Sequence, residues 1–151
     1  MDKQKENISI RLYDILIEEA AFGIFDLEGL KQDILELKSQ GAELLWNEDS
    51  LVSVGKSTLD VVVMAENTDL LKFVLEEFVV KDNLDINRFN RSSETALDQA
   101  NKIISAKIRA EIVGVLREYG AKTQDEVLKE RKAQSTKQIE SATKHVKTRQ
   151  I

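Results

Sequence analysis

The residues predict an all-α fold on three observations. Apolar residues make up 42% of the 151-residue chain but aromatics only 5%, so the core positions are mostly Leu, Ile, Val and Ala. Leu and Ala are strong helix formers, whereas strands draw on aromatic and β-branched residues. The apolar positions recur at steps of three and four, the period of one helix face. Helix-sized segments alternate with polar, turn-rich stretches, and no convincing strand exceeds four residues.

The elements follow in order. Ile8, Leu12, Ile15, Leu16 and Ala20 mark a first helical face, interrupted at Gly23. Leu27, Leu30, Ile34 and Leu37 mark a second, ended by Gly41, since glycine tolerates the left-handed turn that closes a helix. A polar stretch with Asn47, Glu48, Asp49 and Ser50 comes next. Two short helices are predicted at about 57–66 and 69–78, divided by Asn67-Thr68. A turn-rich stretch from Lys81 to Ser93 precedes a further pair at about 95–105 and 108–119, ending at Gly120-Ala121. The chain therefore reads as three helix pairs separated by loops near 42–54 and 81–93. Thr123-Gln124-Asp125-Glu126 fits a capping box that opens a final helix. Val127, Leu128, Ile139 and Val146 are its sparse apolar residues, predicting a mostly exposed helix that packs at its start and frays beyond about Lys137.

Regular spacing invites a search for internal repeats. Gly55-Lys56-Ser57-Thr58-Leu59-Asp60 lies 38 residues before Ser93-Glu94-Thr95-Ala96-Leu97-Asp98, each with a hydroxyl residue followed by x-Leu-Asp. A Ser or Thr there accepts the unpaired N–H groups of a helix start. Leu70-Leu71-Lys72-Phe73-Val74-Leu75 matches Ile112-Val113-Gly114-Val115-Leu116 at an offset of 42, so about four extra residues fall around Ile104 to Ile108.

Thr95-Ala96-Leu97-Asp98-Gln99-Ala100, with Asp85-Ile86-Asn87 upstream and Gly120-Ala121 downstream, resembles the T-P-L-H-x-A repeat of the ankyrin family. The middle unit keeps the spacing from Ser57 to Leu70 but has Val62 where Ala is usual. The first keeps Ala20-Ala21-x-Gly23 and Gly41-Ala42 without the repeat's opening. The chain departs from the pattern in having no proline at any first helix, and Asp60 and Asp98 where histidine is usual. The resemblance implies an ankyrin-like helical repeat solenoid over residues 1–123, with repeats about 8–41, 55–80 and 85–121 and short finger loops. Residues 124–151 form a polar, basic C-terminal helix or tail.

Composition narrows the function. Without cysteine there is no disulfide, thiolate nucleophile or Cys-ligated zinc. The single histidine, His145, lies in the polar tail, which removes histidine zinc sites and makes a buried Ser–His–Asp arrangement implausible. No metal or other cofactor is expected. Residues 1–7 do not read as a signal peptide, and no apolar run approaches the roughly 20 residues of a membrane-spanning helix. The expected compartment is a cytoplasm, or a host cytoplasm if the chain is a delivered effector. Of the 22 basic and 27 acidic residues, seven basic and four acidic fall in 124–151, a balance of +3, leaving 15 against 23, or −8, in 1–123. An acidic body disfavours nucleic acid as a ligand.

Two motifs read as decoys. Ser50-Leu51-Val52-Ser53-Val54-Gly55-Lys56-Ser57-Thr58 nearly matches the phosphate-binding loop, but Ser50 replaces its first glycine and the repeat register already explains Gly55 and Ser57. Glu18-Glu19 and Glu76-Glu77 are adjacent on helices and do not face each other.

The expected function is a non-enzymatic protein–protein interaction module: a regulator, an inhibitor or a bacterial effector, with another protein as partner and a monomeric state favoured. A carboxylate-based enzyme, or an adaptor binding an anionic surface through the basic tail, are the alternatives. The candidate partner-binding residues are Trp46 and Asn47 on the first finger and Arg88-Phe89-Asn90-Arg91 on the second. Exposed aromatics beside arginine are frequent interface anchors. The competing reading is that Trp46 and Phe89 tuck against their own helices as peripheral core.

Overall fold

A computed structural model describes residues 2–51 and 55–149, with side chains described as far as residue 140. Among these residues it is all-helical, with α1 (Lys3–Phe22), α2 (Leu27–Ser39), α3 (Thr58–Met64), α4 (Thr68–Val74), α5 (Ala96–Ala100), α6 (Ala106–Glu118) and α7 (Gln124–Arg149). Residues 52–54 of the loop resembling a phosphate-binding motif lie outside the described residues, as do the side chains of His145 and Val146. No described helix is long and apolar enough to cross a membrane.

The helices pair in chain order as α1/α2, α3/α4 and α5/α6. The first helices pack side by side, α1 on α3 and α3 on α5, while α2 packs on α4 and α4 on α6. Between these two rows lies one continuous core built from Leu12, Leu16, Ile34, Leu59, Leu70, Leu71, Leu97, Ile112 and Leu116 among others, all essentially inaccessible. Of the predicted second face, Leu30, Ile34 and Leu37 are buried and Leu27 is partly buried at its start. On α1 the buried face is Ser9, Leu12, Tyr13 and Leu16, so Ile8, Ile15 and Ala20 stand at its margins.

Helix starts obey side-chain chemistry. Ser57 and Asp60 form a reciprocal capping box, Ser57 N–H to Asp60 Oδ2 at 2.8 Å and Asp60 N–H to Ser57 Oγ at 3.0 Å. Thr95 and Asp98 form the same box 38 residues on, at 2.9 and 3.3 Å. Thr123 and Glu126 repeat it at 3.0 and 3.2 Å to open α7.

Helix ends share one geometry that the sequence only half discloses. After α2, Gly41 adopts φ 107° while Ala42 N–H reaches Leu37 O at 2.9 Å. After α6, Gly120 at φ 87° and Ala121 N–H to Leu116 O at 2.9 Å reproduce it. After the second hairpin, Asn83 at φ 52° and Leu84 N–H to Val79 O at 2.9 Å do the same. Asparagine is the residue besides glycine that enters this left-handed region at little cost.

Several boundaries differ from expectation. Asp2 accepts the Lys5 N–H at 2.9 Å, so α1 begins well before Ile8. The helix expected at 69–78 becomes α4 followed by a π-helical segment, Leu75–Val80, in which Lys81 N–H bonds Glu76 O at 3.2 Å. The ammonium of Lys38 serves the Glu77 carbonyl in this widened turn. The helix expected at 95–105 stops at Ala100, because Ser105 caps α6 early and the extra residues of this unit form the Asn101–Ser105 turn. The tail is helical to Arg149, past the point near Lys137 beyond which fraying is expected. Its exposure is as predicted: Val127 is buried, while Leu128 and Ile139 are 46% and 66% exposed.

Candidate functional site

The two loops before α3 and α5 are neighbours, because each precedes a first helix and the first helices are adjacent. Arg91 of the second loop donates to Asn47 O at 3.0 Å and pairs with Asp49 at 3.3 Å in the first. The Arg88 guanidinium lies 5.3 Å from the centre of the Trp46 ring. The candidate residues from both loops are thus brought into one patch.

Their exposure departs from the reading of two aromatic anchors. Trp46 is only 2% exposed and belongs to the core beside Leu44, Leu45 and Leu51, so its indole is not a surface anchor. A polar stretch disguised this position, since its apolar neighbours Leu44, Leu45 and Leu51 have no helical period. Asn90 is also buried, at 4%. Its side-chain N–H donates to Asp60 Oδ2 at 2.8 Å, and its Oδ1 accepts Ser92 N–H at 2.8 Å and Glu94 N–H at 3.0 Å. Asn90 is the latch that holds its loop to the start of α3. Asn47, Arg88 and Arg91 are exposed, and Phe89 is half-buried with the Arg131 guanidinium of α7 at 5.1 Å from its ring centre.

Asp60 is the electrostatic centre of this latch. It is 1% exposed, with Oδ2 shared between the Ser57 and Asn90 donors and Oδ1 without a hydrogen-bond partner. Burial pushes its carboxyl above the usual aspartate range, opposed by the Asn90 and Ser57 hydrogen bonds and by Lys56. Burial, with Asp60 and Asp14 nearby, pushes the Tyr13 hydroxyl up to about 12, so it stays a donor, to Lys56 O at 2.9 Å. The equivalent Asp98 accepts Gln124 N–H at 2.9 Å, tying the first turn of α7 to the third hairpin. The sequence marks these aspartates as the end of a repeated x-Leu-Asp motif and as replacements for histidine, but not as junction residues. Their partners, 30 and 26 positions away, have no local signature.

The Lys56 ammonium in the apparent phosphate-binding motif bonds Gln99 Oε1 at 2.8 Å and lies 4.0 Å from Glu94, while Ser57 is committed to its cap. Its neighbourhood opens into a groove of about 260 Å³ between α1 and α3, lined by Ile17, Ala20, Ala21, Lys56, Val61 and Met64. A second groove of about 390 Å³ lies between the two fingers and the ends of α2 and the π-helical segment, with Lys38, Glu43, Phe78 and Arg88 on its walls. Among the described residues no three His, Asp or Glu side chains converge as metal ligands. No protein-family model, no curated protein and no solved structure matches the chain.

Proposed function

We propose that this chain is a divergent ankyrin-like repeat array that binds another protein through its second finger and the adjacent face of its first helices. The repeat reading is supported by the three identical helix closures at Gly41, Asn83 and Gly120, and by the two x-Leu-Asp capping boxes 38 residues apart. Stacked units of this kind offer an extended surface suited to recognition of a protein.

The observation that carries the binding reading is the latched finger. Asn90 bonds Asp60 and its own loop simultaneously, which holds the flanking Arg88, Phe89 and Arg91 in place. A surface ordered before binding avoids much of the entropy loss of ordering it on contact. Arginine beside an aromatic suits protein recognition, and Trp46 contributes as the floor on which Arg88 rests.

The test uses the full chain as bait, followed by titration of a captured partner against Phe89→Ala, Arg91→Ala and their double variant. The expected result is at least a tenfold loss of affinity in the double variant with its melting temperature within a few degrees of the parent. Unchanged affinity in the folded double variant would overturn the finger as the binding surface.

A further inference from the structure

The fingers occupy one end of the helices, and the hairpin turns the other. At the turn end four large apolar side chains are exposed: Phe22 at 76%, Phe25 at 91%, Met64 at 45% and Ile104 at 96%. Phe22 ends α1, Phe25 lies in the following turn, and Met64 ends α3. The groove that joins Ala20 and Ala21 to Val61 and Met64 places these helix ends side by side.

The chain segments flanking this edge are acidic, although Lys56, bonded to Gln99, also lines the groove. Residues 12–30 contain Asp14, Glu18, Glu19, Asp26 and Glu28 with no Lys or Arg, and residues 57–71 contain Asp60, Glu66 and Asp69 with none. Asp60 is buried and Glu28 pairs with Lys31, but Glu18, Glu66 and Asp69 are exposed and have no ion-pair partner among the described residues. Ile104, though 96% exposed, stands beside Lys102 and Lys107 and is outside the acidic part.

The complementary surface is on the same chain. Beyond Arg131 every residue of α7 through Glu140 is exposed. Leu128 and Ile139 are eleven residues apart, about three turns, so they share a helix face roughly 16 Å in span. Lys132, four residues after Leu128, lies on that face without an ion-pair partner among the described residues, whereas Lys137 lies on the opposite face. Helix α7 starts at the finger end, bonded to Asp98 and Asn87 through residues 122–124, so it does not lie across its own acidic edge.

We infer that the exposed Leu128–Lys132–Ile139 face of α7 docks on the Phe22–Phe25–Met64 edge of a second copy of the chain. Exchanged reciprocally, the contact is made twice and closes as a symmetric dimer. Apolar contact supplies the attraction, and the opposed charges set the orientation and make the association sensitive to salt. This edge is at the opposite end of the first helices from the finger, and the finger variants leave it untouched, so either reading can fail alone.

The experiment is sedimentation of the full chain from 5 to 500 µM in 50 and 500 mM NaCl, a span covering about two decades of affinity by mass action. A reversible monomer–dimer equilibrium weakened at least tenfold in high salt is expected. Phe22→Ser with Phe25→Ser, and separately Leu128→Ser with Ile139→Ser, should each abolish it, with melting curves confirming that these exposed substitutions leave the fold intact. Glu18→Lys with Glu66→Lys, and separately Lys132→Glu, should each weaken it, and mixing these two charge-swapped chains should restore it. A monomer at every concentration, a dimer indifferent to both apolar pairs, or a mixture no better than its separate components would overturn the inference. So would a foreign protein that binds the edge of a chain remaining monomeric throughout.

Discussion

Replacing Asn90 by Ala removes three hydrogen bonds from one buried side chain, and each has a separate consequence. The bond to Asp60 Oδ2 is to a charged group, which is worth about 1.5–3 kcal/mol. The Glu94 N–H is part-buried and loses its acceptor, adding about 1 kcal/mol, whereas Ser92 is exposed and water can take over. The expected total is about 3 kcal/mol, or roughly 6–12 °C in melting temperature for a domain of this size. The effect has a pH signature, because losing a donor makes ionised Asp60 still less favourable. The variant's deficit should therefore be larger at pH 7 than at pH 4, where a carboxyl with a raised pKa accepts its proton more readily. Urea denaturation followed by circular dichroism at both pH values measures it. A deficit under about 0.5 kcal/mol at pH 7, or one that does not shrink in acid, would refute the latch, since surface substitutions reach that size without any special role.

Four further outcomes are expected. Leu97→Ala, at a fully buried position, should cost about 2–5 kcal/mol in chemical denaturation, and a cost below about 0.5 kcal/mol would show that the residue is not core. Asp60→Asn keeps an acceptor for Ser57 and Asn90 without the buried charge. Because the folded-state pKa of Asp60 is raised above 3.8, its contribution favours the native state below that value and is lost as pH rises through the folded-state pKa. The variant should therefore gain relative to the parent between pH 4 and pH 8, and urea midpoints that stay parallel would contradict the assignment. Removing residues 132–151 should leave the melting temperature nearly unchanged, as residues 132–140 are all exposed, whereas removing 124–151 should lower it through loss of buried Val127 and the Asp98–Gln124 bond. Titration with ATP or GTP and magnesium should show no saturable micromolar binding, and a thermal shift abolished by Lys56→Ala would reverse this.

What the sequence made legible was whatever repeats at short range. The i, i+3, i+4 pattern gave α2 and its buried Leu30, Ile34 and Leu37, and the hydroxyl–x–Leu–Asp spacing gave Ser57 and Thr95 as N-caps, though not the return bonds from Asp60 and Asp98. The glycines gave two of the three helix closures, but Asn83 hid the third because asparagine is common in ordinary loops as well. Trp46 was misjudged for a physical reason: a core residue on an irregular loop has no period to betray it, and only the folded neighbours Leu44, Leu45 and Leu51 explain its burial. Asn90 looked like surface by residue type, yet it is buried at 4% because Asp60, 30 residues earlier, supplies the charge that its amide satisfies. The exposed edge was readable in part, since Phe22-Gly23-Ile24-Phe25 joins two large aromatics across a helix-ending glycine between acidic neighbours. Only packing, though, distinguishes an uncovered phenylalanine from a core one.

The aspartates at positions 60 and 98 bear on how the hairpins cohere. A carboxylate at either position serves its own helix and the next segment of chain at once. Asp60 caps α3 and receives Asn90 from the second finger, while Asp98 caps α5 and receives Gln124 from the start of α7. Disturbing either residue therefore loosens a cap and a junction together. The two sites differ in what their charge costs. Asp98 is only partly buried and shares its oxygen with the Thr95 hydroxyl, whereas Asp60 is inaccessible with one oxygen unbonded. The junction between the second hairpin and the second finger is thus the one where hydrogen bonding and desolvation oppose each other most directly. That is the junction on which the geometry of Arg88, Phe89 and Arg91 depends.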